Sequence, residues 1–190
     1  MSNAPPLPTA GAQPRKPASQ RLPPIVEPFV SQKARNFLDT IERWVDDECI
    51  PADAVYKAQL GHGDERWEGH PSVIDDLKKR ARELGLWNMF LPKNHYSNLA
   101  EYDTYGGAGG FSNVEYGLMA ELLGRSGIAS EACNCAAPDT GNMEVIARYG
   151  SKEHKEKWLK PLVSSAQKDW VGMVADGSES WLVRFDLASS

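Results

Sequence analysis

Apolar residues in this chain recur at helical spacing. Between residues 29 and 50, Phe37, Ile41, Trp44, Val45 and Glu48 stand three or four apart, with Lys33, Arg35, Asp39, Glu42, Arg43 and Asp46 largely on the other side. That period makes one buried stripe on an amphipathic helix. Pro51 has no N–H and its ring crowds the preceding turn, so the helix is expected to end or kink near Ile50. The loop GHGDERWEGH (61–70) leads to a second helix over about 71–84, with Val73, Leu77, Ala81 and Leu84 as its stripe. Gly85 stands where a left-handed residue closes a helix. The apolar run 86–91, closed by Pro92, is expected to pack against that stripe.

Residues 93–110 break the period and end in Gly106-Gly107-Ala108-Gly109-Gly110. A third helix opens at Ser112-Asn113-Val114-Glu115, where serine and a glutamate three residues on predict a capping box. Its inward face reads Val114, Leu118, Met119 and Leu122. A short helical stretch spans 129–136, and Asp139 or Thr140 is expected to cap the next helix. That helix turns Met143, Ile146 and Ala147 inward and ends at Gly150. Ser151 caps the last, which carries Glu153 and Lys157 in the favourable i,i+4 order, has Trp158 and Leu159 inward, and stops at Pro161. The predicted fold class is all-α, five to six helices on one core.

Composition changes this picture at the ends. Eight of the 13 prolines lie in the first 28 residues, with Arg15, Lys16 and Arg21 and no acid before Glu27. The segment 1–28 reads as a disordered Pro-rich tail. A mitochondrial presequence is the alternative, and the proline density speaks against its helix. With 190 residues, 21 basic and 26 acidic, the net charge is −5, which argues against binding nucleic acid through overall charge. No apolar run approaches a membrane span, and no secretory pattern opens the chain. Three cysteines suit a reducing, intracellular compartment, with cytosol, mitochondrion and peroxisome left open.

Candidate chemistry is sparse. The glycine cluster lacks the Lys-Ser/Thr of a phosphate loop and follows no predicted strand. Cys133-x-Cys135 is not zinc spacing, and His62 and His70 alone do not close a metal site, so no metal is expected and the thiols read as small buried side chains. No nucleophile elbow appears. Trp44, Trp67, Trp87 and Trp158 read as core. Gly141 and Asn142, poor helix formers, open a helix without a local reason. Close approach of a ligand or another chain would explain them, and so would plain helix packing.

Several ordered strings resemble the acyl-CoA dehydrogenase family. They are ELGLWNMFLP (83–92), SNVEYGLMAE (112–121), APDTGNME (137–144), RYGS (148–151) and KWLKPL (157–162). The APDTGNME run is most similar to the subgroup of family member eleven and its fungal relatives. The resemblance covers roughly 30–166 and implies the family's N-terminal helical domain over 29–166. It also implies FAD as cofactor, an acyl-CoA substrate, and oxidation to the 2-enoyl-CoA with a glutamate base and the flavin as hydride acceptor. On that pattern Ser130, Cys133 and Asn134 are expected at the acyl-pocket wall.

Residues 167–190 depart from the family. Gly172-Met173 and Asp186-Leu187-Ala188-Ser189-Ser190 look like separated remnants of the segment that opens the family's middle β-domain. Ser189 and Ser190 are the cofactor-binding candidates this implies. No catalytic residue falls in the chain, which is expected to be a truncated member, inactive alone. The competing expectation is a non-catalytic helical module that binds a full-length relative or an acyl-CoA, and a homo-oligomer is compatible with either.

Overall fold

A computed structural model describes residues 15–67, 69–91 and 109–164. Among them every regular element is helical, as expected. The elements are α1 (Gln32–Trp44), α2 (Ile50–Leu60), α3 (Ser72–Glu83), α4 (Asn113–Leu123), α5 (Ala129–Ala132), α6 (Asp139–Tyr149), α7 (Lys152–His154) and α8 (Lys160–Ser164). Helix α1 packs on α4, α2 on α3, and α3 on α5, while α6 packs against the turn joining α7 to α8 and against α8 itself. The shared core includes Leu38, Ile41, Trp44, Leu77, Leu86, Met89, Met119, Leu123, Met143 and Val163.

Two proline predictions need correction. The helix does not break near Ile50, because a π turn over Val45–Cys49 joins α1 to α2. Another π turn over Lys155–Leu159 carries α7 into α8 through Pro161. In both, the residue before the proline donates five residues back, Ile50 to Val45 and Lys160 to Lys155. A widened turn lets the helix register shift just where proline removes a donor.

Helix ends follow the sequence more closely. Ser112 and Glu115 form the capping box, and Ser151 accepts from the His154 N–H. Gly85 adopts φ 72°, and Leu86 N–H bonds Ala81 O at 2.8 Å in the Schellman pattern. Neither Asp139 nor Thr140 caps α6. Pro138 holds the N-cap position, and no side chain bonds there. Val114, expected inward, is exposed, and the α4 core face is instead Glu115, Met119, Leu122 and Leu123. The ion pair on the last helix is Glu156–Lys160, while Lys157 Nζ stands 4.8 Å from the Trp158 ring centre.

The N-terminal expectation also needs correction from residue 15 onward. Short 3-10 turns at Ala18–Gln20 and Glu27–Phe29 run along α1. Ala18 and Val30 are buried, and Arg21 pairs with Glu42. Polar side chains of α1 hold this proline-rich strap without an apolar stripe in it.

Candidate functional site

The three pocket-wall candidates lie on one turn. Helix α5 ends at Cys133, and the Cys135 N–H closes back onto Ser130 O at 2.8 Å. Asn134 sits between them in the left-handed region, at φ 56°. Asparagine tolerates that conformation better than other non-glycine residues. Ser130 and Asn134 are half-buried, and Cys133 is fully buried.

Asn134 is committed to a hydrogen-bond network. Its amide nitrogen donates to Asn88 Oδ1 at 2.7 Å and to Leu162 O at 3.0 Å. Asn88 also adopts a left-handed φ, 57°, and is wholly buried. Its amide donates to Val163 O at 2.9 Å, and its backbone N–H donates to Cys133 O at 3.0 Å. Trp87 Nε1 adds a bond to Val163 O at 2.8 Å. Two left-handed asparagines thus lock the 86–91 run, the α5 turn and α8 together. The sequence reading missed Asn88 because it sits inside an apolar run. Its signal was an asparagine just past the Gly85 helix stop.

The surrounding charges are quiet. Burial raises the Cys133 thiol well above its ordinary value, and Cys135 and Cys49 nearby add to the shift. Burial pushes Cys135 up to about 11, although backbone N–H groups of Phe90 and Met89 and the Tyr116 hydroxyl oppose it. Cys49 is pushed up to about 12, again mainly by burial. All three are free thiols in the core, protonated at neutral pH and poor nucleophiles. Burial raises Asp139 too, helped by Glu131 and opposed by Lys78. The turn is built from protonated, core-buried thiols and an internally hydrogen-bonded asparagine, with the Lys78–Glu131 ion pair at its edge.

Elsewhere, a groove of about 390 Å³ is lined by Arg15, Pro17, Asp39, Glu42, Arg43, Asp46 and Asp47. Four carboxylates facing one groove oppose a pyrophosphate, so these residues do not fit a flavin dinucleotide. Ser189, Ser190, Gly106, Gly107 and Ala108 lie outside the described residues. Among the described residues no helix is long and apolar enough to cross a membrane.

Comparison with known proteins agrees with the helical architecture. The family described as "Acyl-CoA dehydrogenase, N-terminal domain" matches residues 31–166. Mouse acyl-CoA dehydrogenase family member 11 is 40% identical over 136 residues, covering 70% of this chain and 16% of that protein. Mouse family member 10 is 38% identical over 134 residues, covering 70% of this chain and 12% of that protein. A solved Mycobacterium abscessus structure assigned to the acyl-CoA dehydrogenases matches with TM-score 0.58 and 40% identity, covering 70% of this chain and 32% of that one. This chain therefore spans less than a third of the mycobacterial chain and about a sixth or less of the two mouse proteins. A family match across α1 to α8, over a helical fold, establishes that the chain belongs to the acyl-CoA dehydrogenase family, of which it holds the N-terminal domain.

Proposed function

We propose that this chain supplies the helical wall of the acyl pocket in an acyl-CoA dehydrogenase. The enzyme would oxidise an acyl-CoA thioester to its 2-enoyl-CoA, with FAD as the hydride acceptor. The family match over 31–166 carries the reading. The small, uncharged side chains of Ser130, Cys133 and Asn134 on one turn support it, because an acyl chain is held by shape and dry surface, with few polar contacts. The described groove does not fit a flavin, so no catalytic step is assigned to residues of this domain.

A domain exchange tests the proposal. Residues 31–166 would replace the corresponding domain of mouse family member 11, and the purified chimera would be assayed for flavin content and for acyl-CoA oxidation with an artificial electron acceptor. A flavin-loaded chimera that oxidises acyl-CoA is expected. A folded, flavin-loaded chimera that oxidises no acyl-CoA of any chain length would overturn the reading. The 190-residue chain itself, incubated with FAD and desalted, is expected to be colourless.

A further inference from the structure

Ser19 sits in the first turn of the N-terminal strap, Ala18–Gln20, half-buried against α1. Its N–H and its hydroxyl donate to the two carboxylate oxygens of Asp39, each at 2.8 Å. The chain ahead of it reads Arg15-Lys16-Pro17-Ala18, and both basic residues are exposed. Pro17 is extended, with φ −58° and ψ 155°. No acidic residue occurs before Glu27. One hydroxyl thus combines a basic, extended approach with a carboxylate as its partner.

We propose that Ser19 is a phosphorylation site for a serine kinase with an acidic peptide groove, and that the phosphate releases the strap from α1. Such a groove selects cations ahead of the serine on an extended backbone, and residues 15–17 supply both. The γ-phosphoryl group of a nucleoside triphosphate passes to Ser19 Oγ. An O–P bond forms there, and the bond from phosphorus to the β–γ bridging oxygen breaks. The nucleoside diphosphate leaves, and the hydroxyl proton goes to the kinase's carboxylate base. Ser19 Oγ then donates no hydrogen bond, and a charge of about −1.5 to −2 stands against the Asp39 carboxylate.

The neighbouring cations do not rescue the contact. Asp39 lines the acidic groove beside the strap together with Glu42, Asp46 and Asp47. Arg15 and Arg21 pair with Glu42, and Arg125 pairs with Asp46. Arg43 Nε donates to Asp39 O at 3.3 Å. Arg35 is adjacent, but its two Nη atoms donate to Ser19 O and Glu27 O, and those bonds themselves hold the strap. Turning Arg35 to the phosphate gives up the strap bonds it now makes. Only Ala18 and Val30 are buried among residues 15–30, so charge and hydrogen bonds decide whether the strap stays.

The full 190-residue chain, incubated with ATP and Mg2+ and in turn with the cyclic-AMP-dependent and the calmodulin-dependent protein kinases, tests the site. Arg148 stands three residues before Ser151, so peptide mass must locate the phosphate as well as count it. Phosphate on Ser19, lost in Ser19→Ala, is expected. Asp39→Ala frees the hydroxyl, and should speed the modification by about tenfold where strap opening limits access. Hydrogen exchange then compares the modified and unmodified chains. The Gln20 and Arg21 amides, which bond Pro17 O and Ala18 O, should exchange at least about tenfold faster with the phosphate in place, while α4 and α6 keep their protection. No phosphate on Ser19 with either kinase, in the parent chain and in Asp39→Ala alike, overturns the site. Exchange over 15–30 that is unchanged or slower after modification overturns the release, since the phosphate has then found a cation without moving the strap.

Discussion

Glycine and asparagine show how single residues set local cost in this domain. Gly117 lies inside α4 with an ordinary φ, and a Cβ there meets nothing within 4 Å. Gly117→Ala is expected to raise stability by about 0.5–1 kcal/mol by removing backbone freedom from the unfolded chain. Gly150 is the opposite case, since a Cβ there would collide with the backbone oxygen of Ile146. Gly150→Ala should lower stability by more than about 1 kcal/mol. Urea unfolding of both variants, read as a change in midpoint at constant slope, checks the signs. Asn88 combines burial, a left-handed φ and hydrogen bonds to two other segments. Asn88→Ala should cost about 2–4 kcal/mol, since it strands buried amide partners and forces alanine into the left-handed region. Asn88→Gly relieves only the backbone part and should recover about 1 kcal/mol of that loss. A smaller loss in the glycine variant would show strain and hydrogen bonding acting separately. The sequence could show neither role, because an asparagine in an apolar run carries no mark of what its amide will meet.

At the scale of the element, the helix ends that use sequence-local partners were legible. The Ser112–Glu115 box, the Ser151 cap and the Gly85 stop each satisfy backbone groups from within a few residues. The joins made by π turns at Val45–Cys49 and Lys155–Leu159 were not, because proline alone marks a break and the turn that avoids it has no residue signature. The Ser112–Glu115 box also has a long-range arm that spacing does not reveal. Glu115 Oε1 accepts the Ser31 N–H at 2.9 Å, which ties the start of α1 to the start of α4. Burial works to raise the Glu115 pKa, yet hydrogen bonds from Ser31 and Ser112 outweigh it, and the carboxyl is held below its ordinary value. A carboxyl lowered on folding stabilises the native state above the unfolded glutamate range and loses that contribution as pH falls through the folded value. Glu115→Gln should therefore cost about 1–2 kcal/mol at neutral pH. The gap to the parent protein should narrow as the solution is acidified below the glutamate range. Melting temperatures of the two proteins across pH would follow it, and a constant gap would mean that charge contributes nothing.

For the whole molecule, the legible part was the helical domain, since each long helix carries its own buried stripe. The strap over 15–30 was misread because its proline density signals disorder and no apolar period contradicts that signal. Its partners sit on the polar side of α1, where charged residues look like ordinary solvent-facing positions. Ser19 gives both its N–H and its hydroxyl to Asp39, each at 2.8 Å, and Arg35 donates to Ser19 O at 3.0 Å and Glu27 O at 3.2 Å. The strap's stability therefore depends on a few side chains rather than on a packed core, and it should open more easily than the helices beneath it. Asp39→Ala removes both Ser19 bonds while leaving the buried face of α1 intact. Trypsin cutting after Arg21 should then speed up by about tenfold, the equivalent of about 1.4 kcal/mol of opening free energy. The global unfolding midpoint should move by much less, because Leu38, Ile41 and Trp44 keep their packing. If cleavage stays slow in the variant, the Arg21–Glu42 pair and the burial of Ala18 hold the strap without Asp39. If cleavage and global unfolding change together, the strap is part of the cooperative core and does not open by itself.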